Sequence, residues 1–460
     1  MSDTYDALAK IVGKDYVSDR KEERYFYARD PGLMPPHDPD YVVMPKTTEQ
    51  VQEILKLANR EKVPVVPKGG GLSLTGLVIA QKGGILLDMK RMGEIVELNE
   101  KARYVVVEGG TTQGTLKSYL IKHYPHLRHS IPDSPPIATI VANAVIHGQG
   151  RLTQQRGFNS DMVSGLEVVL PTGEICRIGS CAVSPYWFSK GPPMPDLTGL
   201  FLGWFGTTGV ITKLGLKLYP CKKARDVMMY LTDKVELVPE ILRKLGHTEM
   251  MEDIVVSAQP VPLRFKGNFT ILAFITGDTE EELEFKRKMA WDTLWEYFES
   301  RDGGFVSVTP DMKPSILAMP SKDTTRFADV SKGGGFEYSG PIAPIDKYPQ
   351  YFKKLEELAS KYKLFYSSAA RCIDGGHCMM FSFSYTFNRA DPDSMERAKT
   401  ALDEAAEFAL EQGGVIWKPN IDEQQMVMER MDPNTLNLMK KLKELLDPNG
   451  IMNPGNWEAK

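Results

Sequence analysis

Apolar positions recur at two spacings along the first half of the chain. Val51, Ile54, Leu55 and Ala58 fall on one helical face, and Thr47 with Gln50 has capping-box spacing, so a helix is predicted over 47–60. Short apolar runs at 63–66, 85–88, 104–108 and 166–170 are bounded by glycine or proline turns and read as strands. TTQGTLKSYL, after the glycine pair that ends the strand at 104–108, reads as a helix. Over 210–218, Leu214, Leu216 and Leu218 alternate with Lys213, Gly215 and Lys217, which predicts a half-buried strand with one wet face. The first 220 residues are thus a helix–strand mixture rich in short strands.

The pattern lengthens beyond Pro220 and the basic cluster CKKAR, where a domain boundary is placed. Helices are predicted near 279–300, 394–412 and 434–446, with strands at 269–275 and 379–387. The helix at 394–412 has Asp393 and Glu396 at its start and Gly413 at its C-cap. FSFSYTF alternates aromatic and small polar residues; it reads either as a sheet floor under a pocket or as a half-buried strand with a Phe face.

Composition narrows the function classes. With 460 residues the chain has room for two or three domains. A net charge of −4, with no basic block, argues against a nucleic-acid partner. MSDTYDALAK lacks the apolar stretch of a secretory signal, and no run approaches the roughly 18 apolar residues of a membrane span. Five cysteines, none in CxxC, point to reduced thiols in a cytoplasmic protein and against an iron–sulfur cluster on this chain.

Candidate chemistry gathers at three small-residue turns, each next to a strand. The first is VPVVPKGGGLSLTG, where Gly69, Gly70 and Gly71 precede Ser73, Thr75 and Gly76. Such a turn can aim backbone N–H groups and hydroxyls at a phosphate. Its spacing matches neither GxGxxG nor GxxxxGK[ST]. Lys68 is the one cation in this loop, read as a solvated lysine or a phosphate contact. The second turn is HSIPDSPPIATIVANAVIHGQG (129–150), with Ser134, Thr139, Asn143 and His147; the third is GWFGTTGVIT (203–212), with Gly209 and Ile211.

The order of these motifs resembles FAD-dependent oxidoreductases of the vanillyl-alcohol oxidase type, a group that includes D-lactate and glycolate dehydrogenases and 4-cresol dehydrogenase. The residues that carry the likeness are PKGGGLSLTG (67–76), GGILLDMKRM (83–92), SGLEVVLPTGE (164–174), GLFLGWFGTTGVIT (199–212) and LLDPNGIMNPG (445–455). The resemblance implies an α+β fold: a two-subdomain, PCMH-type FAD-binding domain over 1–220, an α/β cap over 221–420, and a segment at 421–460 that returns to the first domain. It implies FAD as cofactor, held by Gly69, Gly70, Gly71, Ser73, Thr75, Gly76, Ser134, Thr139, Asn143, Gly209 and Ile211. The implied activity is dehydrogenation of a small hydroxylated substrate, such as a 2-hydroxy acid, by hydride transfer to the flavin. The electrons would pass to an iron–sulfur or cytochrome subunit, in a homo-oligomer or hetero-complex. Oxidation of a phenolic or benzylic substrate, and an electron-transfer subunit without its own substrate, remain as alternatives.

The cap separates the subfamilies. Where the lactate branch carries HxGDGNLH and GEHGIG, this chain has RCIDGGHC (371–378) and WKPNID (417–422), so no metal site is expected. Cys372, His377 and Cys378 alone would make an incomplete soft site. KGGGFEYSGPIAP (332–344) and GGVIWKPN (413–420) are more similar to the alkylphenol branch, with Trp417-Lys418 in place of its Tyr-Arg pair. Three residues are expected to carry catalysis: Arg371 binding a carboxylate, His377 as general base or flavin attachment point, and Lys418 neutralising an anion. Tyr338 and Tyr385 are further pocket candidates.

Overall fold

A helix and the strands around it set the first layer. The helix Thr48–Glu61 starts where the Thr47 side chain accepts the Gln50 N–H (3.2 Å). The Gln50 carboxamide reaches one residue past the expected box partner and accepts the Lys46 N–H (2.7 Å). Val51, Ile54, Leu55 and Ala58 are fully buried against a four-stranded sheet ordered Val17–Ser18, Tyr41–Val43, Ile85–Asp88, Val65–Lys68. The last three strands run parallel. Pro64 has no N–H to donate, and pairing begins at Val65, two residues later than the apolar run suggested.

An antiparallel sheet follows, ordered Ile95–Asn99, Tyr104–Glu108, Val210–Lys217, Val163–Val169, Ile175–Gly179. The computed structural model describes residues 2–258, 268–318 and 333–458.

The second half builds a ten-stranded sheet from Ala224 onward. The expected strand at 379–387 is two strands, Cys378–Phe381 and Phe383–Asn388, which pair with different stretches of Gly334–Ala343. The break falls at Ser382, whose N–H turns to the Ala369 carbonyl (2.8 Å). The helix expected near 279–300 also divides, into Glu280–Thr293 and Trp295–Glu299 around Leu294.

One face of this sheet is covered by the helices Leu237–His247, Tyr348–Tyr362 and Pro392–Glu411. Ile254, Val256, Ala370, Cys372, Phe381, Phe383, Tyr385 and Ile416 are buried against them. Strand alternation puts their neighbours Val255, Arg371 and Trp417 on the opposite face. Trp417 shows where that face looks: its indole N–H lies 2.6 Å from the Ile146 carbonyl and 3.0 Å from that of His147, in the first half of the chain.

After the helix Pro433–Leu446 the chain returns to the first sheet. The Val65 N–H bonds to the Ile451 carbonyl (2.7 Å), and the Asn453 N–H bonds to the Val65 carbonyl (2.8 Å). The Asn453 carboxamide donates to the carbonyls of Leu77 and Phe205 (3.0 and 2.7 Å).

Candidate functional site

The three small-residue turns meet around one cleft with about 1030 Å³ of empty space. Glycines make the convergence possible. A Cβ on Gly69 would lie 2.3 Å from Thr139 Oγ1, and one on Gly70 would lie 2.9 Å from the Ile137 carbonyl, so the first turn packs on the second. A Cβ on Gly206 would lie 2.6 Å from the Pro67 ring, so the third turn packs on the first. Gly71 and Gly206 adopt left-handed backbone (φ 65° and 76°).

Nine of the residues expected to hold the cofactor line this cleft: Gly69, Gly70, Gly71, Ser73, Ser134, Thr139, Asn143, Gly209 and Ile211. Thr75 and Gly76 lie behind it. The Gly76 N–H and the Ser73 hydroxyl are taken by Asp30 Oδ2 (2.9 and 3.2 Å), a brace from the N-terminal segment that the loop's own sequence does not announce. Thr139 also caps the helix Ile140–Val145, accepting the Ala142 N–H (3.4 Å). The Asn143 side-chain Oδ1 accepts from the Asn159 carboxamide (2.6 Å).

Lys68 lines the cleft rather than facing solvent. Its ammonium lies over the Tyr27 ring at 4.3 Å, and burial pushes its pKa down. The Tyr27 hydroxyl donates to Asp88 (2.7 Å) and accepts from Lys90 (2.8 Å), which fixes the ring.

The three residues expected to carry catalysis separate. Arg371 is buried on the sheet face that looks toward the cleft, held by Asp253 through Nε (3.1 Å) and Nη2 (3.2 Å). Burial works against its charge, but the carboxylates of Asp253 and Asp133 outweigh that and hold the guanidinium charged. Its two Asp253 bonds leave Nη1 uncommitted by that partner. Lys418 is also buried, but its ammonium donates to the Ser73 carbonyl (2.5 Å) and lies over the rings of Tyr338 (4.7 Å) and Trp417 (5.1 Å). It ties the cap to the glycine loop. None of the three is among the residues that line the cleft, and His377 alone of them is exposed, after the Asp374–Gly376 turn. Tyr385 belongs to the core, its hydroxyl donating to the Leu355 carbonyl (3.3 Å) on the helix side.

No three His, Cys, Asp or Glu side chains gather as metal ligands among the described residues. Cys372 is wholly buried and its thiol is pushed far up by burial.

Two carboxyls were not legible as partners in the sequence. Glu337 accepts the Leu33 N–H, and Glu423 accepts the Ser339 hydroxyl (2.8 Å). Burial, with Asp30 nearby, pushes Glu337 up to about 8; burial pushes Glu423 up to about 7.

Comparison with known proteins decides what the cleft belongs to. Residues 39–179 match the family described as FAD binding domain, and residues 231–457 match FAD linked oxidases, C-terminal domain. The chain is an FAD-linked oxidoreductase. It is 25% identical to a Bacillus subtilis protein named glycolate oxidase subunit GlcD, across 100% of this chain and 97% of that one. It is 23% identical to the 4-cresol dehydrogenase [hydroxylating] flavoprotein subunit of Pseudomonas putida, across 91% and 88%. Its fold matches a crystal structure of p-cresol methylhydroxylase with substrate bound, at a TM-score of 0.86 and 20% identity, covering 100% and 97%.

FAD is the cofactor of this oxidoreductase, and the cleft fits it. The walls combine small residues such as Gly69, Gly70 and Ala142, which let a diphosphate approach, with apolar ones such as Leu72, Ile146 and Phe201, which suit a flat ring. The Ser134 hydroxyl on the wall and the Thr75 hydroxyl behind it are buried without a hydrogen-bond partner in the protein. Lys68 adds a positive charge to the cleft. No described helix is long and apolar enough to cross a membrane.

Proposed function

We propose that this FAD-linked oxidoreductase dehydrogenates a small 2-hydroxy acid and passes the electrons to a separate redox subunit. The observation that carries the substrate class is Arg371. Its guanidinium is buried on the face of the cap that looks toward the cleft, and it is held rigid by Asp253. Nearby, Arg225 Nε donates to Glu252 (2.5 Å) and Arg128 donates to the same carboxylate. With Arg151 and Asp133 beside them, four guanidiniums and three carboxylates stand together here, an excess of one positive charge that favours an anionic ligand. A carboxylate can accept from Nη1 while Asp253 keeps the plane of the fork fixed.

When bound, FAD supplies a two-electron acceptor for the hydride. The chain's part is to bind, orient and exclude water. Arg371 would fix the acid group. Tyr338 and Trp417, ring centroids 6.3 Å apart, would wall the other side. Lys418 would keep that wall against the glycine loop through Ser73.

The names of both relatives call them subunits, which supports a hetero-complex with an iron–sulfur or cytochrome partner. The cysteine pattern supports a cytoplasmic setting.

Anaerobic mixing tests the reading. D-lactate or glycolate should bleach the flavin, and Arg371→Lys should slow that bleaching roughly 100-fold, the size of a lost charge-assisted contact. Bleaching by 4-alkylphenols and not by hydroxy acids would move the assignment to a phenolic substrate, which the Tyr338–Trp417 wall would also suit.

A further inference from the structure

Gln149 is 3% exposed, and neither its Oε1 nor its Nε2 has a hydrogen-bond partner in the protein. A buried carboxamide with both ends unmet is unusual, because native structures leave few polar side-chain atoms unsatisfied. A slack loop does not explain it. The Gly148 N–H bonds to the Asn143 carbonyl, and the Asn159 N–H to the Gly148 carbonyl (both 2.7 Å). The Gly150 N–H bonds to Thr153 Oγ1 (2.7 Å), and Gly150 bridges to Pro132. The backbone is fixed on both sides of Gln149, so the side chain is held in place without a partner for its amide.

Its neighbours define the place. Asn143, Val145 and Ile146, just before it in the chain, line the cleft. Pro132, across the bridge, is two residues from cleft-lining Ser134, whose hydroxyl is also buried and unmet. Trp417 of the cap closes on Ile146 and His147. Gln149 itself is not among the cleft-lining residues; it follows Ile146 and His147 at the point where Trp417 closes on that wall. A flavin ring presents an imide edge, an N–H donor beside carbonyl acceptors. A primary carboxamide offers one acceptor and one donor side by side, the matching pattern.

We propose that the Gln149 carboxamide holds the imide edge of the flavin, its oxygen accepting from the ring N–H and its NH₂ donating to an adjacent ring carbonyl. Gln149 is then a cofactor-positioning residue, and this holds whichever substrate is oxidised.

Gln149→Met keeps the length of the side chain and removes both hydrogen-bonding groups. The test reads thermal stability of the full chain with and without FAD, the FAD dissociation constant, and the flavin midpoint potential. Without FAD the variant should match or exceed the wild type, because an unmet amide has been removed. With FAD it should melt lower, and its FAD dissociation constant should rise about tenfold. Its potential should fall by about 30 mV, equivalent to a tenfold greater loss of hold on the reduced than on the oxidised flavin. If the flavin does not dissociate, the potential alone decides. Equal destabilisation with and without FAD would overturn the proposal, as would an unchanged dissociation constant and potential with a raised KM, which would place the amide against substrate.

Discussion

The glycines of the first turn are where one methyl group has the largest consequence. Gly69→Ala would put a Cβ 2.3 Å from Thr139 Oγ1 and 3.0 Å from the Ala142 Cβ. It would disturb the cap of the Ile140–Val145 helix and crowd the cleft wall together, for about 1–3 kcal/mol. The expected outcome is a lower melting temperature and a lower ratio of flavin to protein absorbance; a fully loaded variant of unchanged stability would contradict this packing. Lys418→Met removes the donor to the Ser73 carbonyl and should cost about 1.5–3 kcal/mol in chemical denaturation, the range for a hydrogen bond from a charged group. Much of the cleft was legible at this scale because glycine runs and small-residue bends leave a signature of their own. The misplacement of His377 has a different cause. Its sequence neighbours stand where the lactate branch carries HxGDGNLH, but strand alternation gives Arg371 the inward direction and carries the chain out to an exposed turn by residue 377. Asp30 and Gln149 carry no local pattern; their roles come from partners far along the chain, or from a missing partner.

Among elements, the returning C-terminal segment does the most with the fewest residues. Asp447 accepts the N–H groups of Ile451 (3.0 Å) and Met452 (2.8 Å) and pairs with Lys443 (2.6 Å). That turn aims Ile451–Asn453 at the edge of Val65–Lys68. Asp447→Ala should destabilise the protein by about 2–4 kcal/mol, since it orphans buried N–H groups and leaves the Lys443 charge without its carboxylate. Urea unfolding would check this, and a change below about 0.5 kcal/mol would show the turn holding without its acid. Helices and strands with clear periodicity were readable in the sequence. The breaks at Leu294 and Ser382 were not, because each is set by which neighbouring strand or helix the chain meets, and not by a proline or glycine.

At the scale of the whole molecule, Glu337 and Glu423 sit where the cap closes over the N-terminal half, near Lys418. An unfolded chain ionises both above about 4.5, whereas the folded protein holds the protons to about 8 and about 7. Stability should therefore fall as pH climbs through that window, by at most about 1.4 kcal/mol per pH unit for each group. Glu337→Gln imitates the protonated form and should flatten the decline between pH 5 and pH 8. Melting curves across that range would show it, and an unchanged slope would mean that Glu337 is ionised in the folded state. The change of apolar rhythm near Pro220 was legible in the sequence. The closure between them rests on single contacts, such as the Trp417 indole on the Ile146 carbonyl, that no periodicity encodes.

The strand that leads into the glycine loop has a bearing on how the protein is made. Val65 is synthesised long before Ile451 and Asn453, which answer its N–H and carbonyl. A nascent chain halted before residue 447 should thus fail to retain flavin even though every loop around the cleft has already emerged. Loading would then wait until this segment has emerged, and translation products truncated before it would be colourless.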